Sequence, residues 1–319
     1  MTERSEVQQA RSAVARAAID IGTNSTNLLV VHPDGRRERW VNVTRLGQGV
    51  NRDRRFAPEA VERTLGVLRE YRARLDERGI GSGSLRVGAT SGSRDAEDRE
   101  EFFARAAGIV GAVPDLLSGT EEARLAFRGA TADLDPELGP FLVVDIGGGS
   151  TELALGHDEP TVSLSMDVGA VRLTESELHE DPPAAEELAN AIAVVQAHLD
   201  EALLVAPELA EARTVVGIAG TITTVAAVEL GLVTYDADVI HGFVLTRDAA
   251  EDVFRTLATE PLADRVHNPG LPRARADVIV GGCCVLVTIL RRLHLPGIRI
   301  SDRNILDGLV ESLARTSGS

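Results

Sequence analysis

A seven-residue frame occurs twice in this chain, and few folds accommodate it twice. Asp20-Ile21-Gly22-Thr23-Asn24-Ser25-Thr26 and Asp145-Ile146-Gly147-Gly148-Gly149-Ser150-Thr151 share the pattern Asp-Ile-Gly-x-x-Ser-Thr. Apolar residues lead into each copy and out of it, among them Val143-Val144 before the second and Leu28-Leu29-Val30 after the first. This predicts strand, tight turn, strand at each site. Glycine removes the Cβ from such a turn, so backbone N–H groups approach a ligand closely. A row of free N–H groups suits phosphate oxygens. The flanking carboxylates Asp20, Asp145 and Glu152 suit a hard cation such as Mg²⁺ beside that phosphate. One copy alone reads equally well as a glycine hairpin. A repeat is structural information, and two like domains that each open on such a loop can clamp one phosphate chain.

The 319 residues suit two domains of ordinary size. The formal charge of −16 argues against broad nucleic-acid or membrane-surface binding, so neither is expected as a partner. A polyanionic substrate would need local arginines and cations to offset that field. All 33 basic residues are arginine. The absence of lysine excludes a Walker-type phosphate lysine and Schiff-base chemistry, and leaves the planar donor fork of arginine for phosphate. The apolar run 278–290 has 13 residues, too few to span a bilayer. Charged residues from Glu3 to Arg16 leave no signal-peptide core, so a cytoplasmic protein is expected. Cys283 and Cys284 are adjacent in the apolar run and read as buried thiols.

Along the chain, residues 1–13 read as a frayed end. Arg52, Arg54 and Arg55 form a basic patch that is either solvated or substrate-facing. Pro58 and Gly79 bracket a helix over 58–78, with Val61, Leu65, Leu68 and Leu75 on its buried face. A strand over 85–89 ends in Thr90-Ser91-Gly92-Ser93-Arg94, an anion-friendly turn before a helix. Ser93 suits a helix cap there, and Arg94 either pairs a phosphate or covers the helix. At 118–125, Thr120 reads as an N-cap with Glu121 and Glu122 in the first turn, where acidic residues favour the helix dipole whatever the function. Two prolines place a hinge within 130–140. A strand at 215–218 runs into a glycine turn with a helix from 222. Further helices are expected over 273–293 and 305–315.

Five separated motifs then agree. The chain resembles the exopolyphosphatase / guanosine pentaphosphate phosphohydrolase (Ppx/GppA) family through 20–25, Arg45-Leu46-Gly47-Gln48-Gly49, 90–96, 118–125 and 145–152. The resemblance implies an α/β fold of two actin-like (ASKHA, ribonuclease H-like) domains around an interdomain cleft. Their bounds would be 1–133 plus a C-terminal helix at 303–319, and 134–302. It implies Mg²⁺-dependent removal of the terminal phosphate of inorganic polyphosphate, with pppGpp 5′-phosphohydrolysis as the alternative. An actin-fold ATPase or kinase fits less well. By the same resemblance Glu122 is the catalytic base, Asp145 and Glu152 hold metal and water, Asp20 is a metal carboxylate of the other domain, and Arg94 stabilises the transferring phosphoryl group. Gly22, Thr23, Asn24, Ser25, Thr90, Ser91, Gly147, Gly148, Gly149 and Ser150 bind phosphate. A homodimer is expected. Two departures stand out. Asn304-Ile305-Leu306-Asp307-Gly308 replaces the arginine-bearing Leu-Arg-Glu-Gly helix start, and the C-terminal helical extension of long members is missing, which predicts a reduced grip on very long chains.

Overall fold

The computed structural model describes residues 14–316, so the frayed end expected over 1–13 lies outside the described residues. The chain divides into two compact units, one running up to Leu117 and resuming at Leu306, the other comprising Ser118–Ile305. In the first unit, β1 (Arg16–Ile21), β2 (Ser25–Val31), β3 (Arg37–Val43), β4 (Leu85–Ala89) and β5 (Asp115–Leu116) form one sheet in the order β3-β2-β1-β4-β5. The first three strands are an antiparallel meander, and β4 runs parallel to β1. In the second unit, β6 (Phe141–Ile146), β7 (Thr151–Gly156), β8 (Pro160–Met166), β9 (Thr214–Ile218), β10 (Val244–Thr246) and β11 (Gly297–Ile300) take the order β10-β11-β9-β6-β7-β8. Again three strands form a meander, and β9 lies parallel to β6. The shared order is the actin-like arrangement anticipated from the sequence. Each repeated frame is the turn between the first two strands of its sheet.

The register of those strand pairs bears on function. Asp145 faces Glu152 across β6 and β7. At the equivalent place in the first unit Asp20 faces Asn27, whose amide donates to Asp20 Oδ2 at 3.2 Å. Facing residues of an antiparallel pair share one side of the sheet. The second copy therefore presents two carboxylates where the first presents one and an amide.

The helix Pro58–Glu77 buries Leu65, Leu68, Tyr71 and Leu75, with Val61 only partly covered, and packs against the helix Arg99–Val110. Each fully buried leucine contributes about 1.5–3 kcal/mol relative to exposure. Tyr71 donates its hydroxyl to Thr26 O at 2.7 Å and accepts from Asn42, which ties this helix to the β2–β3 hairpin. Burial pushes the Tyr71 phenol up to about 12.

Two boundaries differ from the sequence reading. The helix Gly119–Thr131, expected in the first domain, packs on β6, β7 and β8 and belongs to the second unit, because its apolar side with Leu125, Ala126 and Phe127 is buried there. The division falls after Leu117, not at 133. The proline-rich stretch expected as a hinge holds the 3-10 turn Pro136–Leu138 leading into β6. At the other end the first unit resumes at Leu306 rather than 303. There Asp307 of the helix Ile305–Thr316 pairs with Arg37 and, at 3.1 Å, with Arg39, both on β3.

Among the described residues one helix, Ala185–Val205, is long and apolar enough by length and composition to cross a membrane. Its Ala191, Val195 and Leu199 lie in the core of the second unit. The helix Ile279–Arg292 packs against it and buries Cys283 and Cys284, whose thiols burial pushes far up. That helix starts at Ile279 rather than 273, since Arg273–Arg275 form a separate 3-10 turn.

Candidate phosphate site

The turn between β6 and β7 is closed by Gly147 N donating to Ser150 O at 3.0 Å. Its remaining carbonyls turn outward onto the start of the helix Ala170–Glu177. Gly147 O accepts from Ala170 N at 2.9 Å, and Gly148 O accepts from Val171 N at 2.8 Å and Arg172 N at 3.0 Å. In a planar trans peptide the N–H points opposite to the C=O. Fixing these carbonyls outward therefore aims the N–H groups of Gly148 and Gly149 the other way. Gly169 makes the approach possible, since a Cβ there would lie 2.7 Å from Ser150 N and 2.8 Å from Gly147 O.

The carboxylates of this unit gather beside the cradle. Glu152 is buried at the start of β7, and its Oε1 accepts from Ser150 Oγ at 2.6 Å and Ser165 Oγ at 2.8 Å. Burial first, then the charges of Glu122 and Asp145, hold the Glu152 carboxyl well above the ordinary glutamate range, against the pull of the two hydroxyls. Glu122 reaches this group from the helix Gly119–Thr131. The N-cap of that helix is Ser118, which accepts from Glu121 N at 3.2 Å, in place of the expected Thr120. Gly119 sits so close to Ser165 on β8 that any side chain there would overlap it, and this brings the helix start onto the sheet edge. Successive helix residues point about 100° apart. Glu122 accordingly is 8% exposed and turned to the carboxylate group, whereas Glu121 is paired with Arg124 at 3.0 Å.

Carboxylates crowded in a dry place are relieved by a proton or by a cation. Among the described residues no set of three or more His, Cys, Asp or Glu side chains is gathered closely enough to hold a metal ion alone. A hard cation can also be held by one or two carboxylates, with water completing its shell. Asp145 and Glu152 fit that part. Asp20 lies on the equivalent strand of the other unit.

The first unit builds its own turn. Gly22 N donates to Ser25 O at 2.9 Å, repeating the closure at Gly147. The segment after β3 braces it as the segment after β8 braces the other: Thr44 N and Arg45 N donate to Asn24 O, and Gly47 N donates to Thr23 O. Thr23 Oγ1 also accepts from Gly92 N at 3.0 Å, so the loops at 22–25, 44–47 and 90–94 meet on Thr23. Thr90 holds the N-cap position of the short helix Ser91–Asp95 without a side-chain capping bond, and Ser91 and Ser93 are buried within it, so Ser93 is not the expected cap. Arg94 donates to Leu117 O at 3.1 Å. Arg52 pairs with Asp53, while Arg54 and Arg55 lie within 3.6 Å of Asp95 and Asp98.

Arg275 escaped the sequence reading. The helix Ala219–Glu229 follows β9 without the expected glycine turn, its first residue Ala219 at φ 66°. The half-buried Arg275 guanidinium packs against Gly220 at that helix start, and burial holds its pKa down. Nothing in the sequence near 275 signals this pairing, which depends on chain folding back across some 50 positions.

Fold and site together define a class, an actin-like α/β protein in which buried carboxylates stand beside a glycine turn. The chain belongs to the Ppx/GppA phosphatase family, whose pattern its residues 36–317 match. It is 41% identical to exopolyphosphatase 2 of Mycobacterium tuberculosis, over 93% of this chain and 98% of that protein. A crystallised exopolyphosphatase-like protein superposes with a TM-score of 0.90 at 37% identity, covering 95% of this chain and all of the other. The guanosine-5′-triphosphate,3′-diphosphate pyrophosphatase of Vibrio cholerae is 31% identical over 97% of this chain, which spans 61% of its length.

Proposed function

We propose that this chain is an exopolyphosphatase, a phosphoanhydride hydrolase that releases the end phosphate of inorganic polyphosphate with Mg²⁺ bound. The observation that carries this reading is the placing of Glu122, Asp145 and Glu152 around a cradle of outward-fixed carbonyls in one unit. Such a cradle takes a phosphate, and the carboxylates beside it supply a base and cation ligands. Similarity to the mycobacterial exopolyphosphatase supports polyphosphate over a guanosine substrate.

In this reading the N–H groups of Gly148, Gly149 and Ser150 hold the terminal phosphate. The turn Gly22–Ser25, with Thr90 and Ser91, is the second phosphate-binding element. Glu122 orients a water and takes its proton as the water oxygen bonds to the terminal phosphorus. The bridging P–O bond breaks, and the shortened chain leaves with that oxygen. Arg94 offers its guanidinium to the non-bridging oxygens, which carry most of the charge in a loose transition state. Asp145 and Glu152, with Asp20 as a further carboxylate, would hold Mg²⁺, which when bound would supply charge neutralisation. A cytoplasmic location and a homodimeric state belong to the same reading and are checked by fractionation and light scattering.

The test is phosphate release from polyphosphates of several lengths, pppGpp and ATP, with Mg²⁺ or with a chelator. Polyphosphate cleaved fastest, only with the cation, is the expected result. Preferential cleavage of pppGpp would replace the substrate, and equal rates with chelator would remove the metal from the scheme.

A further inference from the structure

The brace behind the cradle contains one bond unlike the others. Three bonds to the outward carbonyls of Gly147 and Gly148 come from backbone amides, but Gly149 O accepts from the side chain of Arg172, through Nε at 2.8 Å. The carbonyl of Gly149 and the N–H of Ser150 belong to one peptide. We propose that Arg172 is a positioning residue for phosphate: its guanidinium fixes the Gly149–Ser150 peptide and strengthens the Ser150 N–H as a donor into the cradle, without touching the substrate.

Two observations support this. The same residue donates its own backbone N–H to Gly148 O, so Arg172 grips two successive peptides of the turn, one with the main chain and one with the side chain. A charged donor on a carbonyl polarises the whole peptide more than a neutral one, and hydrogen bonds in series reinforce one another. The oppositely directed N–H of a trans peptide is then aimed by the same contact. Arg172 also brings positive charge to a turn that has Asp145 and Glu152 at its two ends, in a chain of net charge −16.

The inference rests on the reading that this cradle takes phosphate. The probe is therefore inorganic phosphate, measured by equilibrium binding, alongside kcat and KM for polyphosphate and thermal unfolding. A protein that binds phosphate in an Arg172-dependent way yet leaves polyphosphate intact would separate the two readings. Arg172→Gln is expected to weaken phosphate binding about tenfold, the difference between a charged and a neutral donor. Arg255→Gln, which removes an exposed arginine paired with Asp252, should leave binding unchanged and controls for net charge. In Arg172→Ala, free guanidinium at millimolar concentration should restore part of the lost affinity, whereas sodium chloride at equal ionic strength should not. A merely structural role would lower the melting temperature and kcat without that rescue. Phosphate binding within twofold of wild type in a folded Arg172→Gln protein overturns the proposal. If that variant does not fold, Arg172→Lys is read instead. Its ammonium keeps the charge but cannot place a planar N–H at Gly149 O, so a loss of about threefold is expected, and unchanged binding overturns the proposal equally.

Discussion

Gly169→Ala tests the brace through space rather than charge. The added Cβ would lie 2.7 Å from Ser150 N, 2.8 Å from Gly147 O and 2.8 Å from Gly148 C, where ordinary contact begins at 3.4 Å. All three atoms are backbone of the cradle, so no flexible side chain absorbs the overlap. Either the turn or the segment at 169–172 must move by about 0.6–0.7 Å, taking that shortfall as the displacement. Overpacking of this kind costs about 1–3 kcal/mol of stability. Displacement of a binding group by about 1 Å costs on the order of a hundredfold in rate. We expect kcat/KM for polyphosphate to fall roughly ten- to a hundredfold, with weaker binding of inorganic phosphate and a lower melting temperature. Gly66→Ala and Gly108→Ala are the matched controls. Both sites lie inside helices with nothing within 4 Å of the new Cβ. Each should gain about 0.5–1 kcal/mol from helix propensity and leave kinetics alone. Wild-type kcat/KM in a folded Gly169→Ala protein would refute the claim that this close approach shapes the cradle.

Glu122→Gln should lower kcat about 10²–10⁴-fold, as expected for a positioned base, while Glu121→Gln should cost only about 0.3–1 kcal/mol of stability; steady-state kinetics of both variants at saturating Mg²⁺ decides, and a larger kinetic loss at 121 rejects the assignment. Hydrogen bonds from Arg78, then from His32, hold Glu38 at about 2, below its ordinary 4.5. The stability this carboxylate contributes is thus fully present above pH 4.5 and is lost as pH falls toward 2. The gap in melting temperature between wild type and Glu38→Gln should narrow over that interval, and a constant gap contradicts the pairing. Tyr71→Phe removes the bond to Thr26 O and should cost about 1–2 kcal/mol in denaturant unfolding, with no change in kcat.

The two sheets were legible because strand, turn and strand are local, and the repeated frame fixed their common start. The helix over 58–77 was legible from its spacing and its flanking Pro58 and Gly79. The division between units was not. Pro136 and Pro140 mark a loop, but a loop marks a division only where packing changes sides, and the apolar face of 119–131 packs on the strands β6, β7 and β8 beyond that loop. Ser118 and Thr120 are equally good caps by residue type; contact of Gly119 with Ser165 decides between them. Glu122 could be chosen over Glu121 only through family resemblance, since both suit a helix start. Arg172 and Arg275 act on partners that the fold brings to them, so neither carries a local signal.

The pairing of Asp20 with Asn27, against that of Asp145 with Glu152, makes the two turns chemically unequal. An amide that donates to its neighbour relieves a carboxylate, whereas a second carboxylate adds to its load. The burden of neighbouring carboxylates thus falls on the turn of the second unit. The duplicated turn has in this way been divided into a receptive copy and a demanding one, and a single amide in place of a carboxylate accounts for the split. The crowding of carboxylates in the second unit follows from side-chain identity at one strand position rather than from the strand order, which both units share.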